Sequence, residues 1–526
     1  KKEYWDYIIE RRDLLVPQDI RERNGSYFTP QVWVELSQKY IADALGENWQ
    51  EEYFIWDCAA GTGNLLNGLI NKYNIWASTL DKQDVEVMHE RIKNGANLLD
   101  EHVFQFDFLN DDFDKLPQPL QNIINDKEKQ KKLIIYINPP YAEADSRKGE
   151  GRKKIGVSKI QEKYSEEMGN TKREVYIQFL TRIYFELENC WIAEFSKLKN
   201  IQSPGFKSFR NFFRAKLESM FIVPAQTFDN VKGKFPIGFK IWNTSKQSTF
   251  KKITANIYDK NNELIKKKNI WSYDNNKLIN DWVKTFRYTN SESIATVIAP
   301  SSDFQNQRLV RVGPPNMKVP ASNHNWQITK VNLLESAIYY TVRTIIRADW
   351  INDKDQFLFP NNKWKEDDIF KSDCLTHLLF NNGFKSEFGV NNWIPFTEEE
   401  INASEKLESN FMTQFIQGRL KMDNVEDLFS EKEHRTIPLE FSKESKQVFN
   451  VGRELWKYYH QQTENNVNST FYDIREHFQG RDENGRMNNS SEDSKYMDFI
   501  NELREKLKLL SAEIKPKIYE YGFLKI

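Results

Sequence analysis

Asn138, Pro139, Pro140 and Tyr141 are the residues of this 526-residue chain whose types and spacing best suit chemistry. The Asn138 side-chain oxygen and the Pro139 carbonyl can both accept hydrogen bonds from one amino group. An exocyclic amine on an aromatic base is a poor nucleophile, because its lone pair is delocalised into the ring. Two acceptors on its hydrogens draw it toward tetrahedral geometry and release that lone pair. Tyr141 offers a flat face on which a base could stack. The plainer alternative is a strand stopped by prolines and capped by a polar residue, and the tetrapeptide alone does not decide between them.

Such a turn needs a rigid mount. Leu133-Ile134-Ile135-Tyr136-Ile137 is an unbroken apolar run and reads as a strand buried on both faces. Pro139 and Pro140 lack the N–H that a ladder requires, so the strand must end there. The carboxyl end of a strand in an open α/β sheet is where ligands bind.

Upstream, the same arrangement recurs. Thr29-Pro30 reads as a helix start, with Gln31 to Leu45 at helical spacing and Gly46 as the stop. Tyr53 to Trp56 is a short strand, followed by the small-residue loop Asp57-Cys58-Ala59-Ala60-Gly61-Thr62-Gly63 and an expected helix from Leu65 to Lys72. The loop lacks the third glycine of the dinucleotide fingerprint and the Gly-Lys-Ser/Thr of a phosphate loop. Asn74 to Leu80 is a second strand ending at Asp81, about where an acid accepts ribose hydroxyls. A helix from Asp84 to Lys93 follows, then a third strand, His102 to Phe106, ending at Asp107-Phe108. An acid beside an aromatic can bond an adenine amino group and stack on its ring.

Downstream, residues 142–173 are polar and basic, and are expected to be a mobile loop ordered by a partner. Glu174 to Leu187 reads as a helix, Cys190 to Phe195 as a strand, Phe206 to Leu217 as a basic amphipathic helix, and Met220 to Val223 as a strand. Thr227 to Asn243 reads as a hairpin turning at Lys232-Gly233-Lys234. Beyond about residue 270 the α/β rhythm fades into a mixed region to 440 and a mainly helical one from 441.

Composition bounds the rest. The length exceeds one ordinary core, and a 39% hydrophobic content is enough to fill two or three. No run approaches the roughly 18 apolar residues of a membrane span. The three cysteines, Cys58, Cys190 and Cys374, are odd in number and far apart, which fits a reducing cytoplasm and excludes a disulfide scaffold. His102 and His377 are isolated, and no spacing suggests a metal site. The net charge of −1 neither requires nor excludes a polyanionic partner, but basic residues bunch at Arg147 to Lys154 and at Lys197 to Arg214, after two strands of the same sheet. The chain opens on Lys1 without a methionine, as a trimmed or partial chain would.

Taken jointly and in order, these segments resemble the γ-class amino-methyltransferases of DNA, the adenine-N6 enzymes of restriction–modification systems. The likeness covers about residues 20–245 and rests on Gly25-Ser26-Tyr27-Phe28-Thr29-Pro30, Asp57 to Gly63, Asp81, Asp107-Phe108 and Asn138 to Tyr141. It implies an α/β fold: a Rossmann-like methyltransferase domain with a mixed, mainly parallel sheet over residues 1–270. An α+β target-recognition region would cover 271–440 and a helical part 441–526. It implies S-adenosylmethionine as methyl donor. Tyr27, Thr29 and Pro30 would line its methionine end, Asp57, Ala59, Gly61 and Gly63 the loop beneath it, Asp81 its ribose, and Asp107 and Phe108 its adenine. Asn138, Pro139, Pro140 and Tyr141 would form the catalytic turn, with no metal. Tyr141 and Phe235, or Phe228 in the latter's place, would stack the base. Double-stranded DNA is the implied substrate and a separate restriction endonuclease an implied partner, with no membrane. Two positions depart from the family: Cys58 stands where proline is common, and Thr79 competes with Asp81 for the place of the ribose acid.

Three other readings share some of these features. A release-factor glutamine methyltransferase has the same turn, but not the Thr-Pro segment or the long C-terminal part. A bifunctional restriction–modification enzyme needs a nuclease cluster that is not evident here. A non-catalytic DNA-specificity subunit would not need an intact turn and glycine loop.

Overall fold

The computed structural model describes residues 29–143, 156–228, 231, 233–287, 291–318, 324–386, 393–420 and 437–525. It divides into two compact units. The first holds residues up to Asn275 together with Asp349–Lys354, and the second holds Asn276–Ala348 and Asp355–Ile526.

The first unit is built on a nine-stranded sheet: β1 (Phe54–Asp57), β2 (Ile75–Thr79), β3 (Val103–Gln105), β4 (Leu133–Ile137), β5 (Trp191–Lys197), β6 (Ala215–Pro224), β7 (Pro236–Gln247), β8 (Lys252–Tyr258) and β9 (Leu264–Trp271). Their order across the sheet is β3-β2-β1-β4-β5-β7-β6-β8-β9. Neighbours from β3 through β5 are parallel, β7 runs against both β5 and β6, β8 is parallel to β6, and β9 closes the edge antiparallel to β8. The chain steps outward from β1 to β3 and then returns to β4 on the other side of β1. The direction of winding therefore reverses between β1 and β4, and a crevice opens at their carboxyl ends.

Strand β4 shows why its sequence has no polar gaps. Leu133, Ile135 and Ile137 enter the core on one face of the sheet, beside Tyr176, Ile177, Leu180 and Ile183 of helix α4 (Val175–Glu186). Ile134 and Tyr136 enter the core on the other face, with Trp33, Val34 and Ile41 of helix α1 (Gln31–Leu45). Every β4 side chain is buried, each such burial being worth about 1.5–3 kcal/mol. Trp350 and Ile351, from the short segment assigned to this unit, pack on the α4 face, and Lys268 Nζ donates to the Ile351 carbonyl at 2.8 Å.

Several elements differ from the sequence reading. The expected helix from Leu65 is a single 3-10 turn, Asn64–Leu66. Gly68 at φ +83° breaks the chain there, and side chains replace the helical bonds: Gln38 donates to the Asn67 carbonyl, and Asn97 to the carbonyls of Leu69 and Ile70. The helix expected from Phe206 to Leu217 is only α5 (Lys207–Phe212), because pairing with β7 claims the chain from Ala215 onward. The expected loop 142–173 contains helix α3 (Lys159–Lys163) and two further helical turns, Ser165–Met168 and Gly169–Arg173, while 144–155 lie outside the described residues. The hairpin is longer than expected and uses β6 and β7. Strands β8 and β9 had no counterpart in the reading. Residues 4–12, whose sequence reads as a short helix, also lie outside the described residues.

The second unit combines a three-stranded antiparallel sheet, of Ser293–Ala299, Arg311–Gly313 and His324–Thr329, with helices that include Leu333–Ile345, Asp368–Asn381, Lys443–His460 and Ser494–Glu520. One core runs through Trp326, Tyr339, Leu375, Trp456 and Ile500, so segments on both sides of residue 441 share it. Among the described residues no helix is long and apolar enough to cross a membrane.

Candidate active site

A cavity of about 440 Å³ lies at the β1/β4 crevice. It is lined by Asp57, Ala59 and Gly61 from the end of β1, Thr79, Asp81 and Asp84 from the end of β2, Asp107 and Phe108 from the end of β3, and Asn138 and Pro140 from the end of β4, with Thr29 beside them. Four strand ends that are distant in sequence thus open on one space. Pro30, Gly63, Pro139, Tyr141 and Phe235 are not part of its lining, and Tyr27 lies outside the described residues.

The β1 loop turns on glycines held at positive φ, Gly61 at +52° and Gly63 at +83°. Asp57 is 1% exposed, and its one hydrogen bond among the described residues comes from the Ala59 N–H to Oδ1 at 3.0 Å. Burial without a countercharge pushes its carboxyl up to about 8. The same burial, with Asp57 adjacent, drives the Cys58 thiol well above its ordinary range.

At the end of β2, Asp81 is exposed and precedes helix α2 (Lys82–Lys93) without capping it through its side chain. Asp84, one turn on, is more enclosed. It accepts a long bond from Thr79 Oγ1 at 3.4 Å, and burial, then the charge of Asp81, raises its pKa. At the end of β3, the Asp107 carboxylate accepts from the Leu109 N–H at 3.0 Å and from Asn110 Nδ2 at 2.8 Å. Phe108 is stacked on Phe179 at 5.0 Å and takes a hydrogen bond on its carbonyl from the buried Arg182. Asn110 Oδ1 in turn accepts from the Lys159 N–H at 2.9 Å, which ties α3 to this loop and brings Val157 and Ser158 into the wall.

The β4 turn is held by its own polar groups. Asn138 Nδ2 donates to Thr29 Oγ1 at 3.0 Å, and the Tyr141 hydroxyl donates to Asn138 Oδ1 at 2.6 Å. Thr29 was expected to cap α1. The cap position instead falls on Pro30, with no side-chain bond, and the threonine hydroxyl serves Asn138. Tyr141 is 6% exposed, so the flat face expected for stacking is largely covered by the core. Phe235 is half-buried beside β7, and Phe228 is fully buried against Phe195.

Sequence reasoning missed Asp84, Asn110, Ser158, Gln178 and Phe179 as lining residues. Val175, Gln178 and Phe179 stand three and four apart on α4, which puts them on one face, but nothing in the sequence aims that face at this cavity.

No family model matches the chain, and no curated protein matches it. Solved structures do. Part of the chain is similar to the DrdV–DNA complex seen by cryo-electron microscopy, at 16% identity over 49% of this chain and 30% of that one, with a TM-score of 0.37. It is similar to a type I restriction–modification methyltransferase subunit from Streptococcus thermophilus, at 16% identity over 51% and 55% of the two chains, with a TM-score of 0.33. A nuclease-deletion mutant of the Type ISP restriction–modification enzyme LlaGI, in complex with a DNA substrate mimic, gives 13% identity over 57% and 36%, with a TM-score of 0.38. The chain therefore spans between 30% and 55% of the length of these proteins.

Proposed function

We propose that the chain is a DNA methyltransferase that transfers a methyl group from S-adenosylmethionine to N6 of an adenine flipped out of the duplex. One observation carries the reading: the Asn138 turn and the Asp57–Gly63 loop, 75 residues apart at their nearest, meet at the same cavity where the winding of the sheet reverses.

The lining fits the donor. Asp57 is a buried carboxyl group with acceptor capacity left after its bond to Ala59, suited to a hydroxyl-bearing ligand or, once ionised, a cationic one. Phe108 and Phe179 make an aromatic wall beside Asp107, suited to an adenine ring and its amino group. Asp81 and Asp84, which line the cavity at the end of β2, are proposed to accept the ribose hydroxyls. When bound, S-adenosylmethionine supplies an electrophilic methyl group.

The turn supplies the nucleophile's geometry. The target amine's hydrogens would be shared between Asn138 Oδ1 and the Pro139 carbonyl, which hold the nitrogen lone pair toward the cavity. Tyr141 and Thr29 grip the Asn138 amide from both sides and fix its orientation before the substrate arrives. No base is needed before attack, because the proton leaves afterward from an acidic ammonium. Flipping the base costs a few kcal/mol. Stacking would return about 1–3 kcal/mol per aromatic contact. Phe235 is proposed as one such contact; Tyr141 can serve as the other only once its ring is uncovered.

Incubation with labelled S-adenosylmethionine and unmethylated genomic DNA, followed by nucleoside analysis, tests the reading. Label in N6-methyladenine is the expected result. Label in another nucleoside, or none in DNA while the cofactor binds, would overturn it.

A further inference from the structure

The carboxyl end of β5 carries Lys197 beside the proposed catalytic turn, where no role has been given to it. Its ammonium donates to the Tyr141 main-chain carbonyl at 2.9 Å and lies 3.4 Å from Glu174 Oε2. Both side chains are largely enclosed, at 16% and 8% exposure. Glu174 is itself held by Lys199, at 2.8 Å, and its neighbour Val175 donates its N–H to the Ala142 carbonyl at 3.1 Å. Residues 141–143 are therefore clasped between the end of β5 and the start of α4.

The clasp has a buried foundation. Lys240 on β7 stands directly across from Glu194 on β5, and both side chains are wholly buried, 3.2 Å apart. The Lys240 ammonium also donates to Ser196 Oγ and approaches the carbonyls of Ser196 and Lys197, each at 3.4 Å. Burying an ammonium costs several kcal/mol unless partners replace its water. Lys240, wholly buried, on the Lys197 carbonyl and Lys197, largely enclosed, on the Tyr141 carbonyl put that cost into fixing the end of β5 and, through it, the short stretch of main chain at Tyr141. That stretch ends in the phenol that bonds Asn138 Oδ1.

We infer that Lys197 is a positioning residue for methyl transfer: by holding the Tyr141 main chain it sets the phenol that aims Asn138 at the target amine. The inference rests on the proposed function. Glu174 keeps the ammonium in place, and the bulk of the lysine stem is secondary. A displacement of the order of 1 Å in such a group is enough to cost about 100-fold in rate.

Full-length Lys197→Met, Lys197→Arg and Glu174→Gln variants test this. Single-turnover methyl transfer to unmethylated genomic DNA is followed beside calorimetric binding of S-adenosylmethionine. Lys197→Met should lower the transfer rate roughly 10- to 100-fold, with the cofactor Kd held within about twofold. Lys197→Arg, which restores a cationic donor, should recover most of that loss. Lys197→Met added to Asn138→Ala should cost little beyond Asn138→Ala alone, since both act through one group. Should Lys197→Met lose cofactor binding through misfolding, Glu174→Gln, which loosens Lys197 without removing it, must slow transfer at unchanged Kd. A wild-type rate in Lys197→Met, no recovery in Lys197→Arg, a fully additive double variant or a wild-type rate in Glu174→Gln would each overturn the role. A wild type that binds the cofactor but transfers no methyl overturns the proposed reaction as well, which distinguishes the two failures.

Discussion

Replacing Asp57 by asparagine tests whether burial keeps this carboxyl neutral. Its pKa stands near 8 in the folded protein, against 3.8 for an ordinary aspartate. Between those values the folded chain holds a proton that the unfolded chain has lost. Stability from this group is therefore complete below pH 3.8, falls as pH rises, and is gone once pH has passed about 8. The slope in that window is about 1.4 kcal/mol per pH unit. The amide of Asp57→Asn cannot ionise, yet keeps an oxygen for the Ala59 N–H. From pH 6 to pH 8 the wild type should thus lose roughly 2 kcal/mol relative to the variant. In a unit of this size that moves the thermal midpoint by roughly 3–4 °C. The assay is the difference in melting midpoint between the two proteins at pH 6 and pH 8, at fixed ionic strength. A difference that does not change with pH refutes the raised carboxyl. A second arm uses the ligand: a cation in the cavity favours the ionised carboxylate, so binding of S-adenosylmethionine at pH 7 should release up to one proton. Heats that are equal in phosphate and Tris buffers would show that no such proton is released.

Asn138→Ala should slow methyl transfer by about 100-fold or more while leaving cofactor binding largely intact, read by single-turnover kinetics and calorimetry; near-normal turnover would remove Asn138 from the mechanism. Asp107→Ala should weaken S-adenosylmethionine binding roughly 10- to 100-fold, the worth of a charged hydrogen bond, and an unchanged Kd would reassign that acid. Gly238→Ala would set a methyl group 2.7 Å from a Leu198 side-chain carbon and 2.8 Å from Met220 Cε, next to the Lys240 stem. Such overpacking should destabilise by about 1–3 kcal/mol in chemical denaturation, and a neutral result would show that Leu198 and Met220 can yield.

The parallel half of the sheet was legible because its signals are local. A strand buried on both faces must be apolar throughout, as Leu133 to Ile137 is, and two prolines must end it. The span of helix α1 was readable, since its apolar spacing and Gly46 agree with its packing, although its cap falls on Pro30 and not on Thr29. The failures arise where distant residues decide. Leu65 to Lys72 has helical composition, but side chains from Gln38 and Asn97 satisfy its carbonyls in another shape. Ala215 to Leu217 continues a helical pattern, yet β7 captures it as strand. β8 and β9 are mixed in polarity, and only their neighbours make them strands. In the site, Asp57, Asp81, Asp107 and Asn138, singled out by residue type at strand ends, line one cavity. They did not reveal that Tyr141 turns its hydroxyl back onto Asn138, or that Lys197 reaches the same turn, because those contacts depend on how β4, β5 and α4 are set together.

Asp349–Lys354 gives this architecture a seam that a gene map would not show. The chain leaves the first unit at Asn275, comes back for six residues and departs again. Trp350 and Ile351 lie in a stretch of gene otherwise devoted to the second unit, yet they finish the core of the first. A fragment cut at 275 would expose the apolar patch they cover and strand Lys268 without the Ile351 carbonyl. By the same logic, recombination that exchanges everything after residue 275 succeeds only if the incoming gene carries a matching Trp-Ile clip. Inheritance of the two units is thereby linked across a joint at which a single crossover would otherwise separate them.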